Sequence, residues 1–284
     1  MRPMDTPTSG AARVFLRNPL VRAGVILSVV LMSFSLIGPL LPLPDPYEQD
    51  IIHRLDPPTR AHWLGSDAFG RDVLARLVQA SRNSLTIALM GIIVGLLGGT
   101  VIGVLAGYFG GVLDKVVSEF INVFLAFPPD VVGILVLVAL GGGYLNTALA
   151  IGMAFVPRFA RLARASTLSL REQTYVEAGR ALGAGRYRLM ARYILPSISG
   201  TIFVTATVWI ATAIRAEAAL SFLGLGVQPP GASWGSMIGQ GLVNMLDAPW
   251  VVLCPTLAIM YTVVSFNMVG DGLRDFIDPR TRNT

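Results

Sequence analysis

Cysteine is almost missing from this chain: Cys254 is the single one in 284 residues, so no internal disulfide can form. Lysine occurs once as well. Lys115 follows Asp114 and precedes Val116, which rules out a GxxxxGK[ST] phosphate-binding loop. Any ATP hydrolysis by that route must reside on another polypeptide. The two histidines, His53 and His62, fall in one polar stretch, so no HExxH metal site is available within an apolar run. "GASWG" at 231–235 has the spacing of a GxSxG nucleophile elbow, but it lies in a loop with neither strand–turn–helix context nor a partner histidine. Serines and threonines of the apolar runs lack a base. No catalytic residue, metal site or cofactor site is expected. Charge is also scarce, at 14% of residues against about a quarter in soluble domains.

What remains is apolar. Hydrophobic residues make up 53% of the chain and mean hydropathy is +0.63. Runs of about 18 or more apolar residues recur, the pattern of an all-α polytopic membrane protein. Short alternating strands of a transmembrane barrel are not visible. The net charge of +5 then concerns orientation and the lipid bilayer surface, and nucleic acid is not an expected partner. The pattern predicts about six transmembrane helices, at 20–41, 84–108, 116–140, 145–164, 197–219 and 250–270. The first is too long for a signal-peptide core, and "PLLPLPDP" follows it instead of a cleavage site. Segment 1–19 and tail 272–284 flank a core of 84–271, and 42–83 reads as an outer loop. Within that loop, "HWLGSDAFGRDVLARLVQASRNS" reads as a short amphipathic helix lying at the interface.

Orientation follows from arginine. Eight arginines lie between Arg158 and Arg192, whereas 220–249 holds no basic residue. Arg2, Arg13, Arg17 and Arg22 precede or enter the first span, and Arg274, Arg280 and Arg282 follow the last. Six crossings put these groups on one side, with both termini cytoplasmic. Loop 42–83 carries five arginines, but its six acidic residues outnumber them. Arg158 and Arg161 fall inside the fourth span and are expected to snorkel to one surface.

Several motifs stand out within the spans. Gly91, Gly95, Gly99, Gly103 and Gly107 recur every fourth residue and line one helix stripe, which reads as a close-packing face, with a pore-lining groove as the alternative. Pro128 and Pro129 break the third span beside Asp130. That kink either faces a translocation path, with Pro128 and Asp130 on it, or is a structural bend with Asp130 hydrated near an interface. Arg215 and Glu217 sit near the outer end of the fifth span. Two residues apart, they point to different faces, so each is either a path-lining group or part of an interfacial ion pair.

Between the fourth and fifth spans lies "YVEAGRALGAGRYRLMARYILPS" (175–197), with Arg180, Arg186, Arg188 and Arg192. "EQTYVEAGRAL" has strong helix formers, Gly183 is a helix-ending residue, and "AGRYRLMARYIL" starts a second helix before Pro196. The product is two short helices meeting at a glycine corner on the cytoplasmic face, with small residues Ala178 and Gly179 as a bare patch for another protein. This segment resembles the EAA motif of ABC-importer permeases, with Glu177, Ala178, Gly183, Leu195 and Pro196 in register. Gly179 stands where the pattern has alanine, and Tyr193 where it has isoleucine.

"HWLGSDAFGRDVLARL", "LAGYFGG", "AEAALSFLGLGVQPP", "SWG", "APW" and "GDGLRDFIDPR" extend the similarity over nearly the whole chain, to the second permease subunit of the dipeptide, oligopeptide and nickel family of importers. The resemblance implies a type I ABC-importer fold with a cytoplasmic coupling helix pair at 165–196, in a bacterial or archaeal inner membrane. It implies as partners a second homologous permease subunit, two ATPase subunits or domains and an extracytoplasmic substrate-binding protein. It further implies that Glu177 to Gly183 seat in the ATPase. The solute is expected to be a di- or oligopeptide, with nickel, glutathione or another small solute as the alternative. An ion-gradient-driven transporter is the rival reading. It would want ionisable groups in mid-membrane and inverted repeats, which the sequence does not display.

Overall fold

The computed structural model describes residues 19–277. The expected terminal segments and the orientation signals at Arg2, Arg13, Arg17, Arg280 and Arg282 lie outside the described residues, apart from positions 19 and 272–277. The described elements are helical: α1 Pro19–Ile37, α2 Val73–Phe109, α3 Gly111–Ala126, α4 Pro129–Leu140, α5 Tyr144–Leu170, α6 Thr174–Ala181, α7 Arg186–Leu189, α8 Leu195–Phe222, α9 Trp234–Gly241 and α10 Trp250–Ile277. Four stretches are long and apolar enough to cross a membrane: Pro19–Leu40, Val73–Phe109, Arg186–Phe222 and Trp250–Arg274. The bent pair Gly111–Ala126 and Pro129–Leu140 makes a fifth if counted as one.

The glycine stripe organises the rest. Gly91, Gly95, Gly99, Gly103 and Gly107 are all buried on α2, against α5. A Cβ added at Gly91 would lie 2.7 Å from Ile151, one at Gly95 2.7 Å from Phe155, and one at Gly99 2.5 Å from both Phe159 and the Val156 carbonyl. Gly103 meets Ala163 and Gly107 meets Thr167 in the same way. Partner numbers rise together, so α2 and α5 run parallel and in register. Gly152 on α5 returns the contact, its absent Cβ making room for Val94. The packing reading holds, and the close approach supplies the van der Waals contact that drives helix association in lipid. Two parallel helices that close require the chain to travel back between them, which is the task of α3 and α4.

That return is broken. Pro129 cannot donate a backbone hydrogen bond, Pro128 is held extended at φ −56° and ψ 139°, and α4 leaves α3 at 97°. The expected kinked third span is therefore two separate helices. The expected interfacial helix is also absent as such. Its C-terminal part is the opening of α2, which starts at Val73 and not near residue 84. Asp72 caps that start, accepting 2.7 Å from the Ala75 N–H and holding His62 Nδ1 at 2.9 Å. The preceding residues form turns, with an isolated bridge between Ser66 and Asp72.

The helix at the expected fourth span, α5, runs beyond that span's 145–164 and is not among the stretches apolar enough to cross a membrane. Its arginines reach across to neighbouring helices. Arg161 donates to Asn122 at 3.1 Å, Arg164 makes a two-point pair with Asp114, one bond of 2.7 Å, and Arg171 donates to the Gly107 carbonyl at 3.1 Å. The α1 helix packs antiparallel on α10, where Gly24 abuts Met268, Gly272 abuts Val21, and the Tyr261 hydroxyl donates to the Leu27 carbonyl.

Gly99→Leu is expected to cost stability by at least the ~1–3 kcal/mol typical of overpacking, because backbone and not a flexible side chain stands in the way. Yield and thermal stability of the assembled protein should fall while solute preference of whatever assembles stays unchanged. Normal assembly with altered preference would return the stripe to the pore-lining alternative.

Candidate functional site

The segment 175–197 folds as a two-helix corner. Its first helix, α6, carries Glu177 in its first turn and buries Val176 and Gly179. It ends on Gly183 at φ +82°, where the Gly183 N–H donates to the Arg180 carbonyl and the Ala184 N–H to the Gly179 carbonyl, each at 3.0 Å. These two bonds constitute a Schellman cap, and the left-handed residue within it is the reason for glycine. Nothing stands within 4 Å of where a Cβ at Gly183 would be, so the requirement is conformational and not spatial.

After the corner the chain does not stop again. The short α7 runs through a π turn, Met190–Ile194, directly into α8, and the Leu195 N–H donates back to the Met190 carbonyl. Pro196, which has no N–H to give, sits in the first turn of α8. Elbow and fifth span form one continuous helical rod from Arg186 to Phe222. The corner is braced at two places. Tyr175 stacks on Tyr193 with centroids 6.5 Å apart, and its hydroxyl lies 3.3 Å from Ser197. Tyr187 meets Phe109, at the end of α2, edge-on at 6.5 Å.

The two departures from the EAA pattern turn out to be one packing exchange. Positions 179 and 193 face each other: a Cβ at Gly179 would come within 3.4 Å of the Tyr193 ring and 3.0 Å of Leu189. A smaller residue on α6 accommodates a larger one on the rod. Outward, the corner presents Glu177, Ala178, Ala181 and Gly183, all exposed, together with Leu182 at 88% and Tyr187 at 76% exposure. Arg180, Arg186, Arg188 and Arg192 are exposed around them. Large apolar side chains so open, ringed by small residues and cations, make a surface that another protein can cover.

Leu182 and Tyr187 were not singled out in the sequence. Leucine and tyrosine in a helical run are ordinary core residues, and only the Gly183 corner turns them outward. Of the pattern residues, Leu195 and Pro196 are exposed on the rod and Tyr193 is half-buried.

The candidates for a path do not gather in one place. Asp130 and Pro128 are exposed at the break between α3 and α4, and Asp130 acts electrostatically on half-buried Arg158 of α5. Arg215 is exposed and bonds along its own helix to Thr212 at 3.2 Å. Glu217 is 0% exposed, packed inside the chain, where Ser221 donates to it at 2.7 Å. As expected, Arg215 and Glu217 take opposite faces. In the loop before α2, His53 is held above its ordinary pKa by its 2.8 Å hydrogen bond to Asp56 and by nearby Asp50.

Residues 99–283 match the family model described as the binding-protein-dependent transport system inner membrane component. The chain belongs to that family. Residues 6–58 further match the N-terminal TM domain of oligopeptide transport permease C. The permease is 37% identical over 279 residues to the glutathione transport system permease protein GsiD of Pectobacterium atrosepticum, covering 98% of this chain and 93% of the relative. It is 37% identical over 278 residues to the dipeptide transport system permease protein DppC of Alkalihalophilus pseudofirmus, covering 98% and 91%. With the GsiD protein of Escherichia coli O6:K15:H31 the identity is 41% over 225 residues, 79% of this chain and 74% of the relative. As a member of this family, the permease is an inner-membrane subunit of a binding-protein-dependent importer.

Gly179→Ala and Tyr193→Ile should each lower the thermal unfolding midpoint of the purified permease, while the double variant should lose less than the sum. The expected coupling is about 0.5–3 kcal/mol, the range for side chains in contact. Strict additivity would show that the two departures are independent.

Proposed function

We propose that this chain is the transmembrane subunit of an ATP-driven importer of short peptides, and that the 175–197 corner is where a separate ATPase grips it. The observation that carries the coupling assignment is mechanical: an exposed, capped corner continuous with a membrane-crossing rod. A disordered polar linker would suffice to join two spans, whereas a braced corner with apolar side chains facing out suits a partner's groove. The permease has no phosphate-binding loop of its own, so the nucleotide chemistry belongs to that partner, and the chain itself is not an enzyme. Two ATPase subunits or domains, a second homologous permease completing the pathway, and an extracytoplasmic binding protein complete the assembly.

The membrane topology we infer is six crossings with both termini inside. Its support is the parallel register of α2 and α5, which requires one return crossing by α3 and α4, and the antiparallel pairing of α1 with α10. The corner then lies on the arginine-rich inner side, and the loops 42–72 and 223–249 lie outside. Peptides are favoured because full-length similarity reaches a permease named for dipeptides. Glutathione, itself a small peptide, is the second reading, because two compared relatives are named for it.

Closure of ATP-bound ATPases drives the permease only if the corner binds them differently in the inward- and outward-open states. A contact of equal strength in both would transmit nothing. The rod then carries displacement from the corner into the membrane.

Glu177→Lys and Gly183→Pro are expected to abolish ATP-dependent uptake in proteoliposomes of the complete transporter, with the permease still inserted. The first reverses charge on the exposed face. The second forces φ near −65° where +82° is needed. Ala178→Cys, in a Cys254→Ala background, should cross-link to the ATPase. Full uptake by both variants together with no cross-link would remove the coupling assignment.

A further inference from the structure

The rod from Arg186 to Phe222 is not held evenly along its length. In α8, seven of the residues from Ala211 to Ser221 are buried, whereas from Leu195 to Ile210 burial is confined to Ile198, Ile202 and Ala206. Those three stand four residues apart, so the half of α8 nearer the corner rests on its neighbours along a line. Half-buried Trp209 adds ring contacts to Phe155 and Phe159 of α5, at 5.9 and 4.7 Å. Nearer the corner, a cleft of about 420 Å³ opens between α5 and α8, with Ser166 and Ser169 on one side and Ser197 and Thr201 on the other. The corner meets the end of α2 through Phe109, whose ring takes Tyr187 edge-on at 6.5 Å and Arg186 at 6.0 Å. Tyr187 and Phe109 are both exposed, and such contacts can slide.

The far end is locked. A Cβ at Gly235 of α9 would fall on the Ala218 carbonyl, and one at Gly239 would lie 2.8 Å from the Phe222 carbonyl. The two glycines therefore let α9 lie backbone to backbone along the last turns of the rod. Gly133 of α4 makes room for the Leu220 side chain. The Gly143 N–H, just before α5, donates at 3.0 Å to the Gly226 carbonyl in the turn after the rod. Helix α2 joins through Ser84, whose Oγ accepts from the Trp234 N–H at 3.1 Å, and through Asn83, which donates to the Ala232 carbonyl at 2.7 Å.

Glu217 lies where α2, α8 and α9 meet. Its Oε1 accepts at 2.7 Å from Ser221 on its own helix, and Ser84 and Ser233 direct their hydroxyls at the same carboxyl from α2 and from the start of α9. Its Oε2, fully buried, closes no hydrogen bond with them. A carboxyl is costly to bury where an apolar side chain could fill the space. What it adds here is a joint: two neighbouring elements face an acceptor that either hydroxyl reaches by a small rotation, with no bond broken first. Backbone packing at Gly235 and Gly239 holds the position, and the carboxyl permits a change of angle.

We propose that Glu217 is a positioning residue for transport, the pivot about which the rod tilts when the corner is displaced. The inference rests on the importer reading and adds where the movement takes place. The cleft between α5 and α8 opens and closes, while α9 keeps its place on the end of the rod. Gly200 stands seventeen residues from Glu217. A tilt of about 10° moves it by about 4 Å, because roughly 25 Å of helix separates the two, and moves Phe222 by only about 1 Å.

The test uses the complete transporter in nanodiscs, in a Cys254→Ala background. A nitroxide at Val101→Cys of α2 is paired with one at Gly200→Cys or at Phe222→Cys, all three being exposed positions. Distances between the labels are read without nucleotide and with a non-hydrolysable ATP analogue. The Val101–Gly200 distance should shift by roughly 4 Å and the Val101–Phe222 distance by less than about 2 Å. Glu217→Ala should set the Phe222 label moving as well, and solute taken up per ATP hydrolysed should fall roughly tenfold. Glu217→Gln, which keeps an acceptor for Ser221, should retain both wild-type properties. Should Glu217→Ala not assemble, the two wild-type distances decide. Equal shifts at the two labels, no shift at Gly200, or wild-type stoichiometry in Glu217→Ala would each overturn the pivot, and wild-type uptake would leave the importer reading in place. So would a lowered unfolding midpoint in Glu217→Ala with the two shifts unchanged, the mark of a packing role. A wild type with neither ATP-dependent uptake nor a shift at either label would overturn both.

Discussion

The close approach of α2 and α5 is the constraint from which the remaining architecture follows. Glycine at every fourth position removes side-chain bulk from one face over five consecutive contacts, so backbone meets backbone and neither helix can slide without a clash. Lipid supplies no hydrophobic drive for such pairing, which makes shape the main source of cohesion. Once these two helices lie parallel, the chain between them must return, and it does so in two pieces because Pro128 and Pro129 forbid a continuous helix. The break leaves Asp130 at the level of Arg158, and the arginines further along α5 reach back to Asn122 and Asp114 on α3. Polar residues of α3 and α5 are thus tied across from one helix to the other.

Much of this was legible in the sequence for a physical reason. Glycine periodicity, a double proline, an apolar run and a glycine between two helix-forming stretches are local signals, and local backbone rules read them directly. The stripe, the break, the Gly183 corner and the helix leading from the corner into the fifth span all appeared where those rules put them. The residues read least well were charged ones, because a local pattern does not report whether a charged side chain ends up buried. Arg71 and Arg76 lie in the stretch that reads as an interfacial helix, yet both are buried, with Arg71 paired to Asp67 four residues before it. Glu217 is completely buried although its bonding partner, Ser221, lies only one turn along the same helix.

Gly179 and Tyr193 illustrate the limit most sharply. Read in line with the EAA pattern, each is a separate departure that weakens the resemblance. The corner places them face to face, and together they keep the volume of the contact close to what an alanine and an aliphatic residue would fill. Fourteen positions apart, they meet only because Gly183 reverses the chain and α7 carries it back along α6.

The π turn at Met190–Ile194 bears on how this molecule can change over evolution. An α-helix advances about 100° per residue, so the wide turn fixes an angular phase between the 175–197 corner and every side chain of α8. Exchanging one residue for another there perturbs a contact. Adding or removing a single residue rotates the whole membrane face of the rod against its neighbours while leaving composition and hydropathy almost untouched. A change of length in this short segment is therefore costlier to the packing of the rod than a change of residue.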